Sequence, residues 1–288
     1  MAQKTDQVKE QGSKAVAVET KTQAAVKQVD QDTHKAVDKA KAQTVKDSMK
    51  VSVNILTWNC LSTLHDTLHV LSEDLKGIES EVIVIDNGSK DGCQDMATIK
   101  NRENMGVSVG KNQGIDASKG DYIFMLDGDI VPVPNSINCL LAWLEHNIDA
   151  YAIGFYPNKF TDQRNKNGQK HSETYCHSLY EPKRHSQVIA FYGLFKRSMF
   201  NDFNIRFPEN GPFTGVGYGW EDSDLYMQMR ENGIHQMVAG INKYTGKYYH
   251  EINSSIRLMG QDQYTKTSRD RHEAFQAKWG DKIGKYYV

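Results

Sequence analysis

The feature that most constrains this chain is a rhythm that begins at Val51, where short β-branched runs alternate with helical stretches. Val51 to Thr57 is the first such run. After it Leu61, Leu64, Leu68, Leu71 and Leu75 recur at alternating spacings of three and four, the apolar face of one helix. Glu81 to Ile85 gives a second strand that closes on Asp86-Asn87-Gly88, and Asp91 stands where it can cap a short helix. A helix follows over Val109 to Ser118. Tyr122 to Leu126 is continuously apolar, as a central parallel strand covered on both faces must be. Asn135 opens a helix through Leu140, Leu141 and Leu144, and Tyr151 to Phe155 is a further strand. Val188 to Phe195 and His235 to Ile241 read as later strands, with helices over Glu221 to Asn232 and Arg269 to Trp279. Alternation of this kind predicts an α/β fold, a mostly parallel doubly wound sheet flanked by helices, with ligands at the carboxyl ends of its strands.

Two segments break the rhythm. Residues 1–50 contain no Leu, Ile, Phe, Tyr, Trp or Pro, and their valines recur at loosely helical distances. Ala and Val bury little area, so this stretch reads as a helical or partly disordered extension, with an oligomerising or partner-docking helix as the alternative. Residues 51–288 form the domain proper, with 51–130 as its nucleotide-binding half and 131–288 as its acceptor-binding half. Pro157 to His185 is long, polar and rich in Lys, Asn, His and Ser, the composition of a functional lid or a disordered insertion. No apolar run is long enough to span a bilayer and the start lacks an apolar signal core, so a cytoplasmic location is expected. The widely spaced Cys60, Cys93, Cys139 and Cys176 form neither a zinc knuckle nor a disulfide framework. A formal net charge of -1 argues against a protein that coats nucleic acid.

Chemistry concentrates at Asp127-Gly128-Asp129, directly after the apolar strand. Residues two apart on extended chain point to the same side, so both carboxylates can face one ligand. Carboxylate oxygens suit Mg²⁺ or Mn²⁺ bridging a protein to a diphosphate. Gly128 removes a side chain where a phosphate would approach. The plainer reading is a tight polar turn, which the position at a strand's carboxyl end disfavours.

Four motifs in order, with this triplet as the last, resemble a family 2 type GT-A glycosyltransferase. The first is Asn54-Ile55-Leu56-Thr57-Trp58-Asn59 and the second Asp86-Asn87-Gly88-Ser89-Lys90-Asp91-Gly92. The third runs from Asn104 through Gly106, Gly110, Lys111, Asn112 and Gly114. The resemblance implies a nucleotide diphosphate sugar as donor, UDP-sugars favoured, held by Thr57, Asn59, Asp86, Lys111, Asn112, Asp127 and Gly128. It also implies Mn²⁺ or Mg²⁺ on Asp127 and Asp129. Farther on, Gly219-Trp220-Glu221-Asp222-Ser223-Asp224 is similar to the acidic segment of β-1,4-galactosyltransferases, polypeptide N-acetylgalactosaminyltransferases and chondroitin polymerase. There the acids meet the acceptor, which makes Asp222 the catalytic base with Glu221 beside it, Trp220 a sugar-stacking wall, and His250 a third metal ligand. Leu56, where a proline is common, and Tyr218, where the relatives carry Trp, depart from the pattern.

The residues support that reading on physical grounds. Inverting transfer needs one base to take the acceptor proton and no nucleophilic carboxylate. The acids at 221, 222 and 224 are chemically similar, and acids at a helix N-terminus are also stabilising without any catalysis; spacing alone does not choose among them. A nucleotidyltransferase would carry a Gly-rich phosphate loop after the first strand, and Leu56 to Ser62 has none. A non-catalytic carbohydrate- or partner-binding module remains open on the same fold. The acceptor reads as a glycan, a lipid-linked glycan or, as an alternative, a modified base in DNA. The DNA alternative rests on Lys159, Arg164, Lys166, Lys170 and His171 and on Arg257, Lys266, Arg269 and Arg271.

Overall fold

A computed structural model describes residues 50–155, 163–164, 170–174, 192–234, 236–239, 248–251 and 254–286. All lie in the compact unit Met49–Val288. The extension read over residues 1–50, but for Lys50, lies outside the described residues.

The chain runs β1 (Lys50–Thr57), α1 (Leu61–Asp74), β2 (Glu79–Asp86), β3 (Ile99–Lys100), α2 (Val107–Ala117), β4 (Tyr122–Asp127), β5 (Ile130–Val131) and α3 (Ser136–His146). It continues with β6 (Ala152–Phe155), β7 (Gln163–Arg164), β8 (Lys170–Thr174), β9 (Tyr192–Lys196), α4 (Arg197–Asp202), α5 (Glu221–Glu231), β10 (Gln236–Ala239) and β11 (Tyr248–Glu251). Helices α6 (Ser254–Met259) and α7 (Gln261–Tyr286) close it. The final helix is far longer than the Arg269–Trp279 span that apolar spacing predicts, because its flanks are polar and solvent-facing.

The main sheet has the order β10-β6-β9-β4-β1-β2-β3. Pairing is parallel except at β9, which runs antiparallel to both β4 and β6. The mixed, mostly parallel sheet flanked by helices is therefore the architecture present. Strand β1 sits between β2 and β4, and the register pairs Thr57 with Asp86 and Leu56 with Asp127. The order reverses there, so a crevice opens beyond the carboxyl ends of β1, β2 and β4.

β1 alternates by design of its sequence. Val51, Val53 and Ile55 are wholly buried on one face, each such side chain worth about 1.5–3 kcal/mol. On the other face Ser52 and Asn54 are buried but bonded. The Ser52 hydroxyl accepts from the backbone of Gly120 at 2.8 Å, and the Asn54 amide donates to Ser118 Oγ at 3.1 Å. Helix α2 lies directly on this face, since a Cβ on Gly110 would stand 2.3 Å from a Leu56 methyl and one on Gly114 2.9 Å from the Asn54 amide nitrogen.

Two regions differ from the sequence reading. The polar insertion contributes β7 and β8 to a second sheet of order β5-β11-β8-β7. Such two- to five-residue strands carry too few side chains to announce themselves by alternation. And α7 is a core element: Phe275 and Trp279, one helical turn apart, are buried in a cluster with Leu225, Met229, Phe200 and Phe207. Asp224 on α5, with no exposed surface, fastens that contact. It accepts from Lys278 Nζ at 2.9 Å, Trp279 Nε1 at 2.8 Å and Gln228 Nε2 at 2.7 Å.

Asp224→Ala is expected to lower the unfolding free energy by about 1–3 kcal/mol, the cost of stranding the buried indole donor. Lys278, half exposed, adds little because water can serve it. Urea unfolding of the variant beside the parent protein checks this.

Candidate active site

The crevice has a cavity volume of about 100 Å³ and opens broadly to solvent. One wall comes from strand ends: Thr57 and Trp58 after β1, Asn87 after β2, and Asp127, Gly128 and Asp129 after β4. The facing wall comes from Val216, Gly217, Leu258 and Met259.

The Asp127-Gly128-Asp129 turn is pinned from both sides. Gly128 N–H donates to Leu56 O at 2.7 Å, and the Thr67 hydroxyl of α1 donates to Ile130 O at 2.6 Å. A Cβ at position 128 would fall 2.7 Å from Thr57 Cα and Oγ1. Glycine is thus required there by the packing of the turn on β1, a reason different from the phosphate approach inferred from sequence.

Lys111, on α2, is the central charge. Its side chain is 4% exposed, and its ammonium stands 3.2 Å from Asp127 and 3.8 Å from Asp222 in the first turn of α5. Burial alone would push its pKa down, but Asp127, Asp222 and Glu221 outweigh that and hold it above the ordinary lysine value. Lys111 is therefore cationic throughout the neutral range, and it ties a strand-end acid to a helix acid.

The three acids of the α5 N-terminus separate completely. Asp224 is consumed by α7, as described. Glu221 is nearly buried and accepts from Arg271 Nη1 at 3.3 Å. Asp222, with its side chain 29% exposed, is the one that meets Lys111.

Other residues expected at the ligand have different neighbours. Asn112 is buried, and its amide group is committed to residues 207–209: Nδ2 donates to Phe207 O at 2.9 Å and Glu209 Oε1 at 2.7 Å, while Oδ1 accepts from Phe207 N at 3.0 Å. Asn59 joins two loops, its backbone N–H on Ser89 Oγ and its Oδ1 accepting from Lys90 N at 2.7 Å. Asp86 is buried under its own turn, its carboxylate accepting from Ser89 N at 3.2 Å. Asn87, given no role by sequence reasoning, lines the crevice instead. Trp220 stacks on His272 at 4.2 Å and leans on Phe275 at 5.2 Å, so it packs α5 on α7, whereas nearby Tyr218 is 42% exposed and 4.5 Å from Tyr264. Asp91 serves the starts of α1 and of a 3₁₀ turn over Cys93–Met96, accepting from Leu61 N at 2.9 Å and Cys93 N at 3.1 Å.

The donor set suits a hard divalent cation only in part. Among the described residues no three His, Cys, Asp or Glu side chains cluster as a ready-made metal site. Mg²⁺ is commonly held by one or two carboxylates with substrate phosphates and water completing its shell, and Asp127 and Asp129 lining an open crevice fit that pattern. The strand register sets His250 opposite Ile130, next in sequence to Asp129; its side chain lies outside the described residues.

The basic cluster read near the C-terminus is divided: Arg257, Lys266 and Arg269 are exposed and Arg271 is buried. Arg271 has no exposed surface, and Lys266 and Arg269 both pair with Asp270, at 2.9 and 3.7 Å. Lys159 and Lys166 lie outside the described residues. Among the described residues no helix is long and apolar enough to cross a membrane.

Comparison with known proteins gives a consistent picture. The family model "Glycosyl transferase family 2" matches residues 52–204. Poly(ribitol-phosphate) beta-N-acetylglucosaminyltransferase TarP of Staphylococcus aureus is 32% identical over 119 residues, 37% of this chain and 36% of that protein. Putative glycosyltransferase EpsH of Bacillus subtilis is 24% identical over 194 residues, 61% of this chain and 53% of that protein. The matched stretches thus cover about a third to a half of these relatives' lengths. In fold the chain is similar to the crystal structure of S. aureus TarS 1-349, with a TM-score of 0.53 at 16% identity over 81% of this chain and 74% of that one. Glu221, Asp222, His250 and Arg271 all lie beyond the family match.

Asn112→Ala is expected to cost about 1–3 kcal/mol of stability, because the Phe207 N–H and carbonyl lose their partner. Nucleotide binding by the folded variant is expected to stay unchanged. Thermal unfolding beside nucleotide titration separates the two effects.

Proposed function

The chain belongs to glycosyl transferase family 2 and is a glycosyltransferase of GT-A fold, and from that premise we propose that it transfers a sugar with inversion from a nucleotide diphosphate sugar to an acceptor hydroxyl, with Asp222 as the base. A UDP-sugar is the favoured donor. The carrying observation is the buried Lys111 ammonium 3.2 Å from Asp127 and 3.8 Å from Asp222. It keeps a donor-side acid and a helix acid within one small site.

Exposure supports Asp222: its side chain is 29% exposed beside Lys111, whereas Glu221, bonded to Arg271, is 12% exposed and Asp224, bonded to Lys278 and Trp279, is wholly buried. In the reaction the acceptor oxygen forms its bond to the anomeric carbon as the bond from that carbon to the diphosphate oxygen breaks. The acceptor proton passes to the Asp222 carboxylate, and the nucleoside diphosphate leaves with the bonding electron pair. A base so positioned contributes roughly 10²–10⁴-fold. Mn²⁺ or Mg²⁺ held by Asp127 and Asp129, with His250 as a further candidate ligand, would supply charge neutralisation for the leaving diphosphate. Thr57 and Asn87 shape the nucleotide end of the crevice.

A glycan is the favoured acceptor. The named relative TarP acts on a poly(ribitol-phosphate), a hydroxyl-rich polymer, and the crevice's second wall is built of uncharged residues. The alternative of a modified DNA base loses Arg271, which has no exposed surface, and keeps Lys266 and Arg269, which are exposed and share Asp270.

Release of nucleoside diphosphate from a panel of nucleotide sugars, in excess chelator and then with Mn²⁺ or Mg²⁺ restored, tests the donor and the cation together; full activity under chelation removes the metal. Asp222→Asn is expected to lower kcat by roughly 10²–10⁴ with donor affinity retained. Asp129→Asn is expected to weaken metal-dependent donor binding instead. A near-normal kcat in Asp222→Asn takes the base role from that residue.

A further inference from the structure

The wall facing the strand ends is made by residues outside the family match, and its backbone is irregular. Beyond one short 3₁₀ turn over Gly211–Phe213, residues 214–220 have no ladder of their own to fix them. Gly215, Gly219 and Trp220 all have positive φ, 67°, 86° and 71°. A bulky residue such as Trp220 in that region is strained, and such backbone persists only where its surroundings over-determine it.

One guanidinium braces the start of this loop. Arg271, from the middle of α7, has no exposed surface. Its Nε donates to Pro212 O at 2.9 Å, its Nη2 approaches Gly215 O at 3.5 Å, and its Nη1 donates to Glu221 at 3.3 Å. Its plane lies 5.7 Å from the centre of the Phe213 ring. The loop is moulded to it in turn, since a Cβ on Gly217 would stand 2.7 Å from Nη2. From the other side Gly215 N donates to Met105 O at 3.0 Å. Burying a guanidinium is costly unless its donors are satisfied, and a planar fork reaching two carbonyls and a carboxylate at once is what lysine lacks.

We infer that Arg271 is the positioning residue of the acceptor side: through Pro212, Gly215 and Glu221 it holds Val216 and Gly217 as the second wall of the crevice, making the C-terminal helix part of the site. This rests on the glycosyltransfer reading above. Asp127, Asp129 and Thr57, which face the donor in that reading, belong to the opposite wall, so the wall that Arg271 holds is left to meet the acceptor. Glu221 then acts as the anchor of Arg271, in place of the acceptor contact expected from sequence.

The test uses Arg271→Lys, which keeps a cation beside Glu221 and so the buried charge balance, and Arg271→Met, which removes it. Hydrogen exchange is read first: the amides of residues 214–220 are expected to lose protection in Arg271→Lys while those of β1 and β4 keep theirs. Kinetics are read second. Transfer to the acceptor is expected to fall on the order of 10–10²-fold in kcat/KM, chiefly through KM for the acceptor, as for a displaced positioning group. Donor hydrolysis in the absence of acceptor, and nucleotide affinity, are expected to hold. Unchanged loop protection in Arg271→Lys overturns the inference, and so does an equal fall in donor hydrolysis and transfer. A parent protein that releases no diphosphate from any nucleotide sugar sinks the functional reading alone, because the exchange measurement still decides what Arg271 does. If Arg271→Met does not fold, Arg271→Lys carries the test.

Discussion

One buried ammonium organises this molecule's chemistry. Lys111 comes from α2, Asp127 from the end of β4 and Asp222 from the start of α5, so a single charge joins three elements distant in sequence. A lone buried ammonium would be intolerable and would shed its proton. Flanked by carboxylates it keeps that proton, and the cation between them offsets the repulsion of the two acids. The same contact needs α2 seated closely on β1, which Gly110 and Gly114 allow, and the β4 turn pressed against Thr57, which Gly128 allows. The site is therefore as much a consequence of backbone proximity as of its charged residues.

The α5 N-terminus shows how similar side chains acquire different work. Three acids within four residues all complement the helix dipole, and that alone would account for their presence. Their directions around the helix then divide them. Asp224 turns inward to Trp279 and Lys278, Glu221 toward Arg271, and Asp222 toward Lys111. Two of the three are bound to the C-terminal helix, whose apolar seam of Phe275 and Trp279 also packs Trp220. The second wall of the crevice thus depends on a helix that contributes little to the crevice surface, the arrangement in which a supporting residue governs the geometry of a binding wall.

Sequence alone determined the parts of this protein that depend on local pattern. Alternating β-branched strands and a leucine-spaced helix fixed a mostly parallel α/β sheet, because strand and helix periods are properties of neighbouring residues. The run Tyr122 to Leu126 followed by two acids located the crevice, because a strand buried on both faces must be apolar and must end where ligands bind. Only the tertiary structure decided what each polar residue does. Asn112 and Asn59, read as ligand contacts, tie loops together; Trp220, read as a sugar wall, packs on His272; Arg271, read as surface charge, is buried under the site. The partners in these contacts lie 30 to 97 positions away along the chain, with Glu209 and Asn112 the farthest apart. A hydrogen-bonding group has no period to betray its partner, and its function is set by whichever donor or acceptor the fold brings within about 3 Å.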